Sequence, residues 1–317
     1  MRVFFQSLLL IAVVFGSVIF AHAEYPEQNI NYIVPFSPGG ESDISARIQQ
    51  KHFQRLFGKE LIIQYKPGAG GAVGWSSLNH YPSDGYTIMG TNLPHIVLKP
   101  MQSGSGFALE DLQNVFFFHF TPDALVVPAD SPYKTLADFV SDAQKMPGGV
   151  TVAGSGSYAN NHVAKTIFDA KAGITTTYIP FKSTADATLA VLGKQVKAHW
   201  GYTTVGVAQG EKVRLLAIAA NERHPLFPDV PTFKEAGYDY IGGAYRGLAV
   251  PKATPQEVSR KVSSMLAKLN QDPQFREQMV AAGFSMIDVP YEKISDFLTM
   301  AEKDYFDAAK KLGLIKE

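Results

Sequence analysis

Two turns rich in glycine and proline, Pro35-Phe36-Ser37-Pro38-Gly39-Gly40-Glu41-Ser42-Asp43 and Pro67-Gly68-Ala69-Gly70-Gly71-Ala72-Val73-Gly74, each follow a short apolar run and each lead into a helical pattern. A strand-to-helix turn aims unpaired N–H groups at whatever lies above it, and glycine lets the backbone take positive φ and approach a ligand closely. Such donors suit an anion. Two turns about thirty residues apart therefore predict a paired cradle for a carboxylate or phosphate at the strand ends of one sheet.

The same rhythm continues along the chain. Ile30 to Val34 and Leu61 to Tyr65 read as strands around a helix with Asp43 as its N-cap and Gly58 at its end. Pro82-Ser83-Asp84-Gly85 is a turn into a strand Tyr86 to Met89, which Gly90-Thr91-Asn92 ends with polar groups. A second series restarts near Ala124 to Pro128. It has a helix with Leu136, Phe139, Val140 and Ala143 on one face, a strand Val150 to Ala153, and a third small-residue turn, Gly154-Ser155-Gly156-Ser157, before a helix carrying His162. Tyr178 to Phe181, Val196 to Tyr202 and Arg214 to Ala220 read as further strands. The C-terminal part is helical: Thr254-Pro255-Gln256-Glu257 reads as a capping box, Asp272-Pro273 starts a helix that Gly283 stops, and a last helix spans Tyr291 to Leu312. Its buried side carries Ile294, Phe297, Leu298, Ala301, Tyr305 and Ala308.

The first residues have a processing signature: Arg2, an almost uncharged apolar stretch from Phe4 to Phe20, and a small-x-small site at Ala21-His22-Ala23. Residues 1–23 are expected to be a cleaved signal peptide, with export to the periplasm. The absence of cysteine among 317 residues excludes disulfides, thiolate metal sites, a cysteine nucleophile and a lipidated cysteine. A formal net charge of zero argues against nucleic acid and membrane surfaces as partners. Length suggests two domains: 24–123 plus 247–317 as lobe 1 and 124–246 as lobe 2, with crossings near Thr121 to Ala124 and Tyr245 to Val250.

Enzyme readings fare poorly. The glycines at 68–74 depart from the dinucleotide spacing, follow the second strand rather than the first, and lack an acid at the next strand end. Gly154-Ser155-Gly156-Ser157 with His162 lacks the nucleophile elbow; its hydroxyls at a helix start suit hydrogen bonds to an oxyanion. The eight histidines show no metal-binding spacing. Phe36, Trp75, Tyr202 and Tyr245 read as core or pocket wall, and Lys182 as a solvated charge. No catalytic residue, metal or cofactor is expected.

Taken together, Ile33-Val34-Pro35-Phe36-Ser37-Pro38-Gly39-Gly40 with Asp43 and Ala46-Arg47, Pro67-Gly68-Ala69-Gly70-Gly71 with Gly74, and Pro82-Ser83-Asp84-Gly85-Tyr86-Thr87 closely resemble the substrate-binding proteins of tripartite tricarboxylate transporters, the Bug receptors. The likeness continues through Pro180-Phe181-Lys182, Leu192-Gly193-Lys194-Gln195-Val196, Phe227-Pro228-Asp229-Val230-Pro231-Thr232 and Glu235-Ala236-Gly237. It implies an α/β, two-lobed periplasmic binding protein fold (type II, Venus flytrap), each lobe a central mostly parallel sheet flanked by helices. It also implies a monomeric receptor that does no chemistry and delivers a small carboxylate to a membrane permease with a large and a small subunit; presentation to a sensor kinase is the alternative. Carried onto this chain, the first-lobe ligand residues are Phe36, Ser37, Pro38, Gly39, Ala69, Gly70 and Gly71, and the second-lobe residues are Ser155, Ser157, Asn160, His162 and Thr184; Thr91 and Tyr202 complete the expected set. Two departures bear on ligand choice. Relatives commonly carry an Asp after the Gly-Gln-Val-containing strand, where this chain reads Val196-Lys197-Ala198-His199-Trp200-Gly201-Tyr202-Thr203, and Ser183-Thr184 replaces a usual glycine pair. The missing acid argues against an amino-acid ligand and leaves a mono- or dicarboxylate, aliphatic or aromatic.

Overall fold

The computed structural model describes residues 25–101, 104–311 and 313; the expected signal peptide lies outside them. Runs buried on both faces form the central parallel strands, while the edge strands β2 and β6 are partly exposed. β1 (Ile30–Val34) is nearly all buried and lies between β2 (Leu61–Tyr65) and β3 (Thr87–Leu93), parallel to both. Helices α1 (Glu41–Phe57), α2 (Ala72–Ser76) and α3 (His95–Leu98) follow these strands in turn. A second parallel trio has β5 (Thr151–Gly154) between β6 (Thr177–Pro180) and β7 (Ala198–Tyr202), with helices α4 (Leu136–Lys145), α5 (Asn160–Ala172), α6 (Thr184–Leu192) and α7 (Thr203–Gln209) around it.

Two long strands join the trios. β4 (Leu112–Pro128) runs antiparallel to β9 (Gly243–Pro251) from the pair Leu112 and Pro251 to the pair Pro122 and Gly243. β4 then passes on to pair antiparallel with β7 and β8 (Val213–Ile218). The result is one ten-stranded mixed sheet ordered β2-β1-β3-β9-β4-β7-β5-β6, with β8 and β10 (Ser285–Pro290) also on β4. Parallel pairing is thus confined to the two flanks, and the middle is antiparallel. Helices α8 (Gln256–Gln271), α9 (Pro273–Ala281) and α10 (Tyr291–Lys311) return to the first trio.

The cores are largely separate, although Val163 of α5 packs into the first and Ile167 touches both. One gathers Phe53, Trp75, Phe116, Phe117, Leu266 and Phe275 behind β1 and β3. The other packs Phe139, Phe168, Trp200 and Phe233 behind β5 and β7, with the Trp200 and Phe233 rings stacked 5.4 Å apart. Each unit therefore buries its own apolar face, as a separately closed body requires.

Several local readings change. Helix α1 begins at Glu41 with Gly40 at the N-cap, so Asp43 lies inside the first turn; its carboxylate reaches back to accept from the Gly39 N–H at 2.7 Å. β3 does not end at Gly90-Thr91-Asn92 but runs through them, because β9 supplies partners from Met89 to Leu93. Pro255, not Thr254, is the N-cap residue of α8, and the buried Thr254 hydroxyl has no hydrogen-bond partner among the described residues. Glu257 instead pairs with Lys261 at 2.9 Å. Asp272 does cap α9, accepting from the Phe275 N–H at 2.9 Å.

Candidate functional site

The two glycine turns lie side by side: a Cβ on Gly74 would stand 2.7 Å from the Pro35 Cβ, so the second turn packs directly on the first. Ala69, Gly70 and Gly71 hold positive φ of 47°, 64° and 100°, a left-handed run that aims this backbone outward. Opposite lies the third small-residue turn, from the second trio. A Cβ on Gly156 would sit 2.8 Å from the Gly70 Cα, and one on Gly39 would sit 3.7 Å from the Ala185 Cβ. The units therefore meet glycine to glycine.

Between them lie a groove and a small, partly open cavity. The groove, about 610 Å³, is lined by Ala69, Gly70 and Lys99 on one side and Ser157, Phe181, Lys182 and Asp186 on the other. The cavity, about 10 Å³, is walled by Phe36, Glu41, Ser42, Asn92, His95 and Arg246 from the first unit and Ser155, Ser183 and Thr184 from the second. That volume holds about one water-sized group.

The fourteen expected ligand residues divide accordingly. Phe36, Ser155 and Thr184 wall the cavity, while Ala69, Gly70 and Ser157 line the groove. Pro38 and Gly39 line a separate cleft of about 260 Å³ between the start of α1 and helices α6 and α7, and Ser37 is half-buried beside them. The Gly39 and Gly71 amides are already used, by Asp43 and by the Gly68 carbonyl at 2.9 Å.

Thr91, Asn160 and Tyr202 are buried and stand on neither the groove nor the cavity. Thr91 donates to Asn114 Oδ1 at 2.8 Å, and Asn160 donates to Asp123. The Tyr202 ring lies 5.3 Å beneath the Arg246 guanidinium. His162 also stands off both spaces: its ring stacks on Tyr178 at 4.5 Å, and Nδ1 accepts from the Tyr158 N–H. Burial lowers its pKa to about 4, so it is neutral near pH 7. Tyr178 in turn donates to the Gly156 carbonyl at 2.8 Å, which ties this pair to the glycine contact between the units.

The sequence reading missed the charged wall of the cavity. Glu41 and Arg246 form an ion pair whose side chains are 1% and 5% exposed, and Arg246 Nε also donates to the Asn92 amide oxygen at 2.8 Å. Burial raises the Glu41 pKa, and Arg246 and the Thr121 hydroxyl oppose that rise. His95, fully enclosed beside Phe36 and Trp75, is held neutral by burial, with Arg246 and Lys99 acting in the same direction. A charge inside the apolar run Gly243 to Pro251 was the visible signal for Arg246. Glu41 directly follows the glycine pair of the first turn, and nothing in the sequence marks its side chain as turning inward. Among the described residues no group of three or more His, Asp or Glu side chains is gathered to hold a metal ion.

At the crossing itself stands Asp123. Its N–H donates to the Gly242 carbonyl, its own carbonyl accepts from Ala219, and its carboxylate takes Asn160 on one oxygen and the Tyr240 hydroxyl, at 2.6 Å, on the other. Burial pushes its pKa up to about 7; the Tyr240 and Asn160 hydrogen bonds and Arg246 pull it down, and Glu41 raises it. The folded protein thus binds a proton here that the unfolded chain has released above about pH 4. This group's stabilisation is full below that point and is lost as pH rises to about 7. Asp123→Asn is expected to remove from the stability profile a fall of up to about 1.4 kcal/mol per pH unit across that window. Urea unfolding of both proteins at several pH values measures it, and parallel profiles would remove the assignment.

Comparison with known proteins places this geometry. The family model "Tripartite tricarboxylate transporter family receptor" matches residues 45–312. Protein BugT of Bordetella pertussis is 30% identical over 241 residues, covering 74% of each chain. The solved structure of periplasmic binding protein BugD superposes with a TM-score of 0.86 at 27% identity, covering 92% of this chain and all of that one. A structure described as a periplasmic transporter gives the same TM-score at 26% identity, covering 92% and 99%. The overall fold is thus shared with these proteins, and the chain belongs to the tripartite tricarboxylate transporter receptor family, among its Bug-type periplasmic solute-binding proteins.

Proposed function

We propose that the protein is a periplasmic receptor that shuts two lobes on a small carboxylate, mono- or dicarboxylic, and passes it to a membrane permease of large and small subunits. Binding is its whole task, and it acts as a monomer without turnover. Residues 24–123 with 247–317 form one moving body and 124–246 the other, after a leader of residues 1–23 is removed on export. The observation that carries this reading is the glycine contact: Gly156 can close on Gly70 only because Gly156 has no side chain. A ligand touching both lobes favours the closed state by its differential contacts. Lys99 and Lys182 at the groove supply positive charge suited to an anion.

A thermal-shift screen across aliphatic and aromatic carboxylates tests this. A ligand at 100-fold its Kd should add about 2.7 kcal/mol, equivalent to a rise in Tm of roughly 4–5 °C for a protein of this size. A screen in which sugars or cations shift the protein and no carboxylate does would overturn it.

A further inference from the structure

The acid that relatives carry after the β7 strand is absent here, yet the cavity is not without one. Glu41 stands in its wall with one oxygen on Arg246. The other oxygen, Oε1, is buried and closes no hydrogen bond of ordinary geometry among the described residues, although the Thr121 hydroxyl lies near the carboxylate, and Nδ1 of His95 in the same wall is likewise unpaired. Buried polar atoms in native proteins are nearly always paired, and leaving one unmade is costly. Both residues wall one cavity, and a ligand's polar group that reached these atoms would complete the set.

We propose that Glu41 is a specificity-determining residue, selecting a carboxylate that also carries a hydrogen-bond donor, a hydroxyl or an ammonium group, over an unsubstituted or dicarboxylic acid. The inference rests on the carboxylate reading above and sharpens it. A carboxylate oxygen only accepts, so its complement is a donor. Arg246 cannot serve a second ligand carboxylate at this end, because its charge is already paired with Glu41 and its Nε with Asn92. A carboxylate entering here would meet Glu41 as a like charge in a dry site. The size agrees: about 10 Å³ suits a group the size of water, as a hydroxyl or ammonium is, better than a second carboxylate. The ligand's own carboxylate then faces the groove, where Gly70, Lys99 and Lys182 stand.

A four-carbon series isolates the effect: butyrate, succinate, the 2-, 3- and 4-hydroxybutyrates and the 2-, 3- and 4-aminobutyrates, titrated calorimetrically into the full mature protein. At least one hydroxy or amino isomer should bind about ten-fold or more tighter than both butyrate and succinate, as a hydrogen bond to a charged group implies. Glu41→Gln separates the two donors, since the amide oxygen still accepts from a hydroxyl but no longer attracts an ammonium. The double variant Glu41→Leu/Arg246→Met, which removes both charges together, should bring the whole series to within about three-fold, less than the weakest such bond supplies. If butyrate or succinate binds wild type as tightly as every substituted isomer, the inference is wrong and the carboxylate reading stands. Retention of the preference in the double variant also overturns it. If no member of the series binds while other carboxylates shift the protein, the donor preference is likewise refuted for this chain length and the receptor reading survives. Should either variant fail to fold, the wild-type ranking alone decides.

Discussion

Gly156→Val is expected to abolish ligand-induced stabilisation. Its Cβ would stand 2.8 Å from the Gly70 Cα and 3.3 Å from the Gly70 nitrogen, and both obstacles are backbone that cannot swing aside. The residue also holds φ of +127°, where a side chain is strained whatever the space. Two effects follow, and they separate. Strain lowers the Tm of the free protein modestly, as it does for other side chains forced to positive φ. The clash removes the closed state, so affinity should fall by about 100-fold, the loss expected when the competent conformation becomes a 1% minority. The Tm rise at saturating ligand should shrink below about 1 °C, against the several degrees expected of wild type. Ligand affinity in Gly156→Val equal to wild type would show that the glycine contact is no part of the bound state, and the two-lobe clamp would fall with it.

The second large effect is on stability. Arg246→Met leaves the Glu41 carboxylate 1% exposed and without its counter-charge. Breaking one half of a buried pair costs about 3–5 kcal/mol, whereas replacing both halves with apolar residues of similar volume is near neutral. Denaturant unfolding should therefore rank Arg246→Met well below wild type and Glu41→Leu/Arg246→Met close to it, with the shortfall from additivity measuring the coupling. The pH response gives a second reading. Without Arg246, burial raises the Glu41 pKa unopposed by that guanidinium. The single variant should then regain stability as the medium is acidified toward the ordinary carboxylate range. A single variant as stable as wild type at neutral pH would mean that the pair is more hydrated than its burial indicates.

Much of the fold was legible because its signals are local. Ile30 to Val34 and Leu61 to Tyr65 are continuous apolar or alternating runs between turn residues, and both became strands with the bounds read from them. The Asp272-Pro273 start and the final helix from Tyr291 were legible for the same reason. Long-range pairing was not. Nothing local to Gly90-Thr91-Asn92 says that β9 will lie alongside and extend β3 through it, and nothing near Asp43 says that Gly40 will cap α1 while the carboxylate turns back to Gly39. The site divides along the same line. Glycine turns announce themselves by composition, and they do meet over the cleft. Asn160 was expected at the ligand from the resemblance alone, and the hydrogen bond it makes to Asp123, 37 positions away, could not be read from the sequence because it forms through the crossing strand. Glu41 and Arg246 are 205 positions apart, so their pairing is a product of topology alone.

The crossing by β4 and β9 also decides the route of traffic. A ladder of two antiparallel strands bends readily out of its own plane and resists sliding within it, since sliding would break every rung from Leu112 to Pro122 together. On the two-lobe reading proposed above, the halves would swing like a book on its spine, and the edge where Gly70 meets Gly156 would part. A passenger would then board and disembark through one door, and a partner receiving it would address that side of the molecule.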